Sequence, residues 1–123
     1  MSKRILVVDD QSEIRELVSV TLRVDDYQIF QAENGPEALD NAAKERPHLV
    51  ILDIMMPGGL DGYEVCRRLK RNPITKSCIV LMLTAKGKKV DRQTGFEAGA
   101  DGYFTKPFSP LELLTKVDEA FAD

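Results

Sequence analysis

Five side chains of this chain could do chemistry together: the carboxylates of Asp9, Asp10 and Asp53, the hydroxyl of Thr84 and the ammonium of Lys106. They stand at the ends of short apolar runs. Ile5-Leu6-Val7-Val8 leads into Asp9 and Asp10, Leu49-Val50-Ile51-Leu52 into Asp53, Ile79-Val80-Leu81-Met82-Leu83 into Thr84, and a stretch from Gly102 to Thr105 into Lys106. Three carboxylates brought to within a few ångströms repel strongly unless compensated. Mg²⁺ is a suitable compensation, a hard cation that takes carboxylates, waters and phosphate oxygens. Lys106 is a compact charge on a flexible stem, able to pair first with a carboxylate and then with a phosphoryl oxygen. Thr84 offers one hydroxyl donor. Phosphoryl transfer needs mainly positioning and charge neutralisation. The set therefore suits Mg²⁺-assisted transfer of a phosphoryl group to a carboxylate, with Asp53 as the nucleophile that becomes an acyl phosphate.

For these groups to meet, the apolar runs must be parallel neighbours that end at one edge, where open α/β sheets carry their ligand sites. The rest of the sequence supplies what that requires. Amphipathic helical patterns alternate with the apolar runs, which argues βα repetition around a parallel sheet. The first helix is predicted from Ser12 to Val24, with Ile14, Leu17, Val18 and Leu22 as its apolar stripe. A short strand over 29–32 ends at Asn34-Gly35. Pro36 opens a second helix, whose buried face is Ala38, Leu39, Ala42 and Ala43. A third helix carries Val65, Cys66 and Leu69 inward. The fourth, from Lys88 to Ala98, has few large apolar residues and an interior Gly95, which marks it as marginal and mobile beside the site. The fifth opens on a Ser109/Glu112 capping box with Pro110 in its first turn. Right-handed crossovers then put helices on both faces of five strands.

At 123 residues the chain is read as one domain, 1–123, able to bury roughly two-thirds of its unfolded surface. A net charge of −3 with dispersed Lys and Arg gives no basic face for nucleic acid. The nearest approach is Lys86-Gly87-Lys88-Lys89 with Arg92, read as a solvated loop. No apolar stretch has membrane-spanning length, and Met1-Ser2-Lys3-Arg4 runs straight into a strand pattern without a leader. Cys66 and Cys78 lack metal or redox spacing and are expected to be free thiols in a reducing cytoplasm. His48, the only histidine, follows Pro47 at the far end of the Asp53 strand and reads as a turn residue.

The stretches Ile5–Asp10, Leu49–Pro57, Asp61-Gly62-Tyr63-Glu64, Leu83-Thr84-Ala85 and Ala98–Phe108 together resemble the receiver domain of a two-component response regulator, of the chemotaxis type. The resemblance covers essentially the whole chain in order. It implies a flavodoxin-like, doubly wound (βα)5 fold with strand order 2-1-3-4-5. It implies that Asp53 takes a phosphoryl group from a phosphohistidine on a sensor histidine kinase or histidine phosphotransfer protein. Asp9, Asp10, Asp53 and the Met55 backbone carbonyl would hold Mg²⁺, Thr84 and Lys106 would bind the phosphoryl oxygens, and Lys106-Pro107 would be cis. Thr84 and Tyr103 would form the switch: Thr84 moves toward the phosphoryl group, Tyr103 turns inward, and the face of the fourth helix, fifth strand and fifth helix is reshaped for a downstream partner. The implied molecule is cytoplasmic, a monomer or a phosphorylation-dependent dimer.

Two features depart from the family's pattern. The loop Pro57-Gly58-Gly59-Leu60-Asp61-Gly62 is one residue longer than usual, and the lifetime-tuning positions two residues after Asp53 and Thr84 are Met55 and Lys86. An aspartyl-phosphate phosphohydrolase of the haloacid dehalogenase type would need a general acid at position 55, and methionine cannot serve. A receiver that had become a scaffold would have lost one of the five chemical groups, and all are present. The expected molecule is a switch that catalyses its own phosphorylation and dephosphorylation rather than a dedicated enzyme.

Overall fold

A computed structural model describes residues 3–56, 58–85 and 92–122. The elements alternate strictly: β1 (Lys3–Val8), α1 (Ser12–Leu22), β2 (Tyr27–Ala32), α2 (Gly35–Glu45), β3 (Leu49–Asp53), α3 (Gly62–Arg71), β4 (Ile79–Ala85), α4 (Arg92–Ala98), β5 (Gly102–Lys106) and α5 (Pro110–Phe121). The five strands are parallel and lie in the order β2-β1-β3-β4-β5, the doubly wound, flavodoxin-like arrangement expected.

The apolar runs are continuous because both faces of the sheet are covered, so alternate residues serve two cores. Leu6, Val8, Val50, Leu52, Val80 and Met82 point to one face, against Ala38 and Ala42 of α2, Val65, Cys66 and Leu69 of α3, and Ala98 of α4. Ile5, Val7, Leu49, Ile51, Leu81 and Leu83 point to the other, against Val18 and Leu22 of α1 and Leu113 and Val117 of α5. β3, in the middle, is buried along its whole length.

Caps fix the helix entries. Asn34, Asp61 and Ser109 accept the backbone N–H of Glu37, Glu64 and Glu112 respectively, each with its side-chain oxygen. Cys66 and Cys78 are buried free thiols, and burial pushes the Cys66 thiol up to about 12. His48 lies at the end of β3 remote from Asp53, where its Nδ1 accepts the Arg4 backbone N–H at 2.9 Å.

Some expectations shift. The first helix stops at Leu22, two residues early, and β2 begins two residues sooner, at Tyr27. Leu17 is 43% exposed and not part of the buried stripe. Ile14, Val18 and Leu22 recur at every fourth residue and define the packed line, which leaves Leu17 turned about a quarter of a revolution away. α4 is described from Arg92 onward. Its expected start at Lys88, the basic run from Lys86 and the loop's Pro57 lie outside the described residues. Among the described residues, no helix is long and apolar enough to cross a membrane.

Candidate functional site

The strand register assembles the site. Val8 pairs with Leu52, so Asp9, one residue on, comes level with Asp53 at the end of β3. Asp53 pairs with Leu83, which brings Thr84 just beyond it. Lys106 ends β5 opposite Ala85. The order of strands reverses between β1 and β3, and ligand crevices of such sheets open at this reversal.

Asp9 is fully buried, and Asp53 and Thr84 are each 4% exposed, while Asp10 faces solvent. The Lys106 side chain reaches across the end of β4. Its Nζ lies 2.7 Å from Asp9 Oδ2 and 3.7 Å from Asp53 Oδ2, with Gln11 Oε1 at 3.4 Å. Both carboxylates are steadied by their other oxygen: Asp9 Oδ1 accepts the Gln11 N–H at 2.9 Å, and Asp53 Oδ1 accepts the Met55 N–H at 3.2 Å. Asp9 Oδ2 receives no well-angled hydrogen bond, so the ammonium of Lys106 compensates it by charge alone.

One ammonium is not enough for this much buried negative charge. Asp53 is pushed up to about 6, first by burial and then by the charge of Asp9, against the opposing pull of Lys106 and the Met55 N–H. Asp9, Asp10 and Asp53 each offer an oxygen within 4.8 Å of the others. All-oxygen donors, surplus negative charge and an oxygen left without a hydrogen bond fit a divalent, oxygen-preferring cation. A cleft lined by Asp10, Glu33, Asn34 and Gly58 opens beside this cluster.

The loop after Asp53 is anchored by a close approach. The Gly62 N–H donates to the Ile54 carbonyl at 2.9 Å, and a Cβ on residue 62 would sit 2.5 Å from the Asp53 carbonyl oxygen. Only glycine lets α3 begin there. Met55 lies at the loop's start and is 59% exposed. Gly58 and Gly59 have φ of +94° and +83° with open space around both, so the longer loop uses them for backbone shape. Tyr103 of β5 packs partly buried on the α4 side of the sheet, its ring edge-on to Phe96 at 5.4 Å. The Lys106-Pro107 peptide is cis, as the resemblance implied.

Among the described residues, two contributors lie outside those that the sequence singled out. Gln11 touches both Asp9 and Lys106, and Arg15 Nη1 donates to the Asp9 carbonyl at 2.7 Å while its Nε donates to Gln31 Oε1. For Gln11 and Arg15 no sequence signal exists beyond their position just after the acidic pair; for Gly62 the signal was its place at the end of the loop and in the matched stretch.

The family model of the response regulator receiver domain matches residues 5–118. The chain belongs to this family. This receiver domain is 46% identical over 114 residues to the transcriptional regulatory protein ResD of Bacillus subtilis, covering 93% of this chain and 46% of ResD. It is 44% identical over 117 residues to the phosphate regulon transcriptional regulatory protein PhoB of Pseudomonas aeruginosa, covering 95% of this chain and 51% of PhoB. The chain thus spans about half the length of the curated relatives it matches. Among solved structures, a putative response regulator from Chloroflexus aurantiacus superposes with a TM-score of 0.92 at 39% identity over 100% of both chains. The chemotaxis response regulator CheY4 of Vibrio cholerae gives a TM-score of 0.91 at 34% identity, over 98% of this chain and 100% of that one. As a receiver domain the chain is a phosphorylation-dependent switch module of two-component signalling, and the family implies a histidine kinase or histidine phosphotransfer partner.

Proposed function

We propose that Asp53 is the phosphoacceptor of this receiver domain, charged from a partner's phosphohistidine with Mg²⁺ held by Asp9, Asp10, Asp53 and the Met55 backbone carbonyl. The observation that carries the reading is the ammonium of Lys106, shared between two buried carboxylates at 2.7 and 3.7 Å. It follows the negative charge as that charge passes from carboxylate to phosphoryl oxygen. An Asp53 oxygen forms the new O–P bond as the N–P bond of phosphohistidine breaks. The imidazole nitrogen keeps that bond's electron pair and takes up a proton. In dephosphorylation water attacks phosphorus, Asp53 leaves as a carboxylate, and inorganic phosphate carries off the water's oxygen. When bound, Mg²⁺ supplies charge neutralisation on the phosphoryl oxygens. Lys106 and the Thr84 hydroxyl hold those oxygens from the side of β4 and β5. The domain catalyses these steps on itself and is not a dedicated enzyme.

The output follows from the same groups. Thr84 moves toward the phosphoryl group, Tyr103 turns inward, and the face of α4, β5 and α5 changes shape for a downstream protein target, with the domain monomeric or dimerising on phosphorylation. Residues 1–123 act as this one unit in the cytoplasm and make no direct contact with nucleic acid. Intact mass after incubation with acetyl phosphate tests the chemistry. A single phosphoryl adduct that needs both Mg²⁺ and Asp53 is expected; an adduct that persists in Asp53→Ala or forms in EDTA overturns it. Amide chemical shifts on the α4–β5–α5 face that stay unchanged with Mg²⁺ and beryllofluoride would remove the output route.

A further inference from the structure

Gly95 sits inside α4, where glycine is less favourable than alanine because it adds backbone entropy without adding contacts. No left-handed backbone requires it, since the positive-φ glycines of the described residues are Gly58, Gly59 and Gly99. Space is what requires it. A Cβ built on Gly95 would overlap the Tyr103 hydroxyl oxygen and lie 2.5 Å from Cζ and 3.3 Å from Cε1. The tip of the Tyr103 ring therefore occupies the volume where any other residue carries its side chain. Phe96, the next residue, braces the same ring edge-on.

Two contacts keep α4 from yielding instead. Its end is closed by the N–H of Gly99 on the Phe96 carbonyl and the N–H of Ala100 on the Gly95 carbonyl itself, both at 3.0 Å, the paired bonds of a Schellman termination. The turn that follows is tied down through Asp101, whose Oδ2 accepts the Val80 N–H at 2.8 Å and the Lys70 ammonium at 2.9 Å. The helix end is held by these bonds, and what a side chain at position 95 meets is the far end of the Tyr103 side chain rather than backbone, so it displaces the ring. We infer that Gly95 is a positioning residue for Tyr103: the notch it leaves in α4 is the seat of the switch tyrosine, and the ring's pose and the helix's place are fixed together. The seat itself is a packing statement; its bearing on signalling rests on the switch reading of Tyr103 given above.

A mutant cycle tests the seat without phosphorylation. Alanine at a helical glycine ordinarily stabilises, so Gly95→Ala should raise the urea midpoint if nothing occupies the notch. The seat predicts the reverse: a lower midpoint with Tyr103 present and a higher one in the Tyr103→Ala background. With fluorotyrosine incorporated, the chain's three tyrosines give three ¹⁹F signals, and Tyr103→Phe assigns one of them. That signal should move toward the free-tyrosine position in Gly95→Ala while those of Tyr27 and Tyr63 stay. A raised midpoint with an unmoved signal overturns the proposal. If Gly95→Ala alone fails to fold, folding of the double variant supports the seat, and failure of both overturns it. A third readout separates the two readings. Gly95→Ala should change the affinity for Mg²⁺-beryllofluoride at least threefold, and should not do so in the Tyr103→Ala background. An unchanged affinity beside the expected stability pattern keeps the seat and discards the switch role of Tyr103.

Discussion

Asp9 and Asp53 each accept the backbone N–H two residues ahead on Oδ1, from Gln11 at 2.9 Å and Met55 at 3.2 Å, which leaves both Oδ2 atoms to Lys106 Nζ at 2.7 and 3.7 Å. The same local turn at the ends of two neighbouring strands fixes both carboxylates before any cation or phosphoryl group arrives. The pair is fixed in geometry and under-compensated in charge, and most of what can be measured about the site follows from that.

The raised Asp53 should be visible in stability. Its folded value of about 6 exceeds the ordinary 3.8, so between those values the folded state binds more protons than the unfolded one. The sign is then fixed: this group's cost to stability is present above about pH 6 and disappears as pH falls toward 4. In EDTA at pH 7.5, Asp53→Asn should stabilise the domain by on the order of 2 kcal/mol. The advantage over the unsubstituted protein should shrink toward zero at pH 4.5. Urea denaturation of both proteins across that range measures it, and a constant difference would refute the assignment.

Lys106→Met removes the ammonium from two buried carboxylates. Stranding Asp9, whose side chain is 1% exposed, should cost about 3 kcal/mol. Adding Asp9→Asn should restore most of that loss, since the stranded charge is then gone. Thermal or urea unfolding of the single and double variants shows whether the second substitution rescues the first.

Asp10 separates metal binding from folding. It is exposed, so Asp10→Asn should leave metal-free stability within about 0.5 kcal/mol. The unsubstituted domain should gain stability with Mg²⁺, by about 1.4 kcal/mol at ten times the dissociation constant. In Asp10→Asn the Mg²⁺ needed for the same gain should rise at least tenfold. Unfolding midpoints followed through a Mg²⁺ titration decide it.

Gly62→Ala should destabilise by about 2 kcal/mol, opposite in sign to alanine's helix preference, because the added methyl meets the Asp53 carbonyl at 2.5 Å. Acetyl phosphate labelling of Asp53 should slow at least tenfold at the same time, as the strand end shifts. A faster or unchanged labelling rate would separate Gly62 from the site.

The chemical residues were legible because a parallel sheet advertises itself. Strands buried on both faces must be apolar throughout, so Asp9, Asp53 and Thr84 stand out as the first polar groups after such runs, and strand alternation with helices dictates that those ends meet. The cap at Ser109 was equally legible, settled by a bond within three residues; the caps at Asn34 and Asp61 are as local in the structure but were read only as a strand end and a loop residue. The limits of the stripe on α1 were not legible. Ile14, Leu17, Val18 and Leu22 are equally apolar, and only the direction from which the sheet approaches chose the line that buries Val18 and exposes Leu17.

Gly95 shows the same division most plainly. From the sequence it weakens a helix. In the fold it is a space filled by Tyr103, and nothing within α4 could say so. Composition and order determined which groups exist and at which strand ends they stand, since backbone geometry and burial act within a few residues. How Lys106 divides itself between Asp9 and Asp53, how Gln11 joins them, and which glycines are seats for distant side chains depend on contacts between elements remote in sequence. Packing all five strands and their helices at once decided those distances.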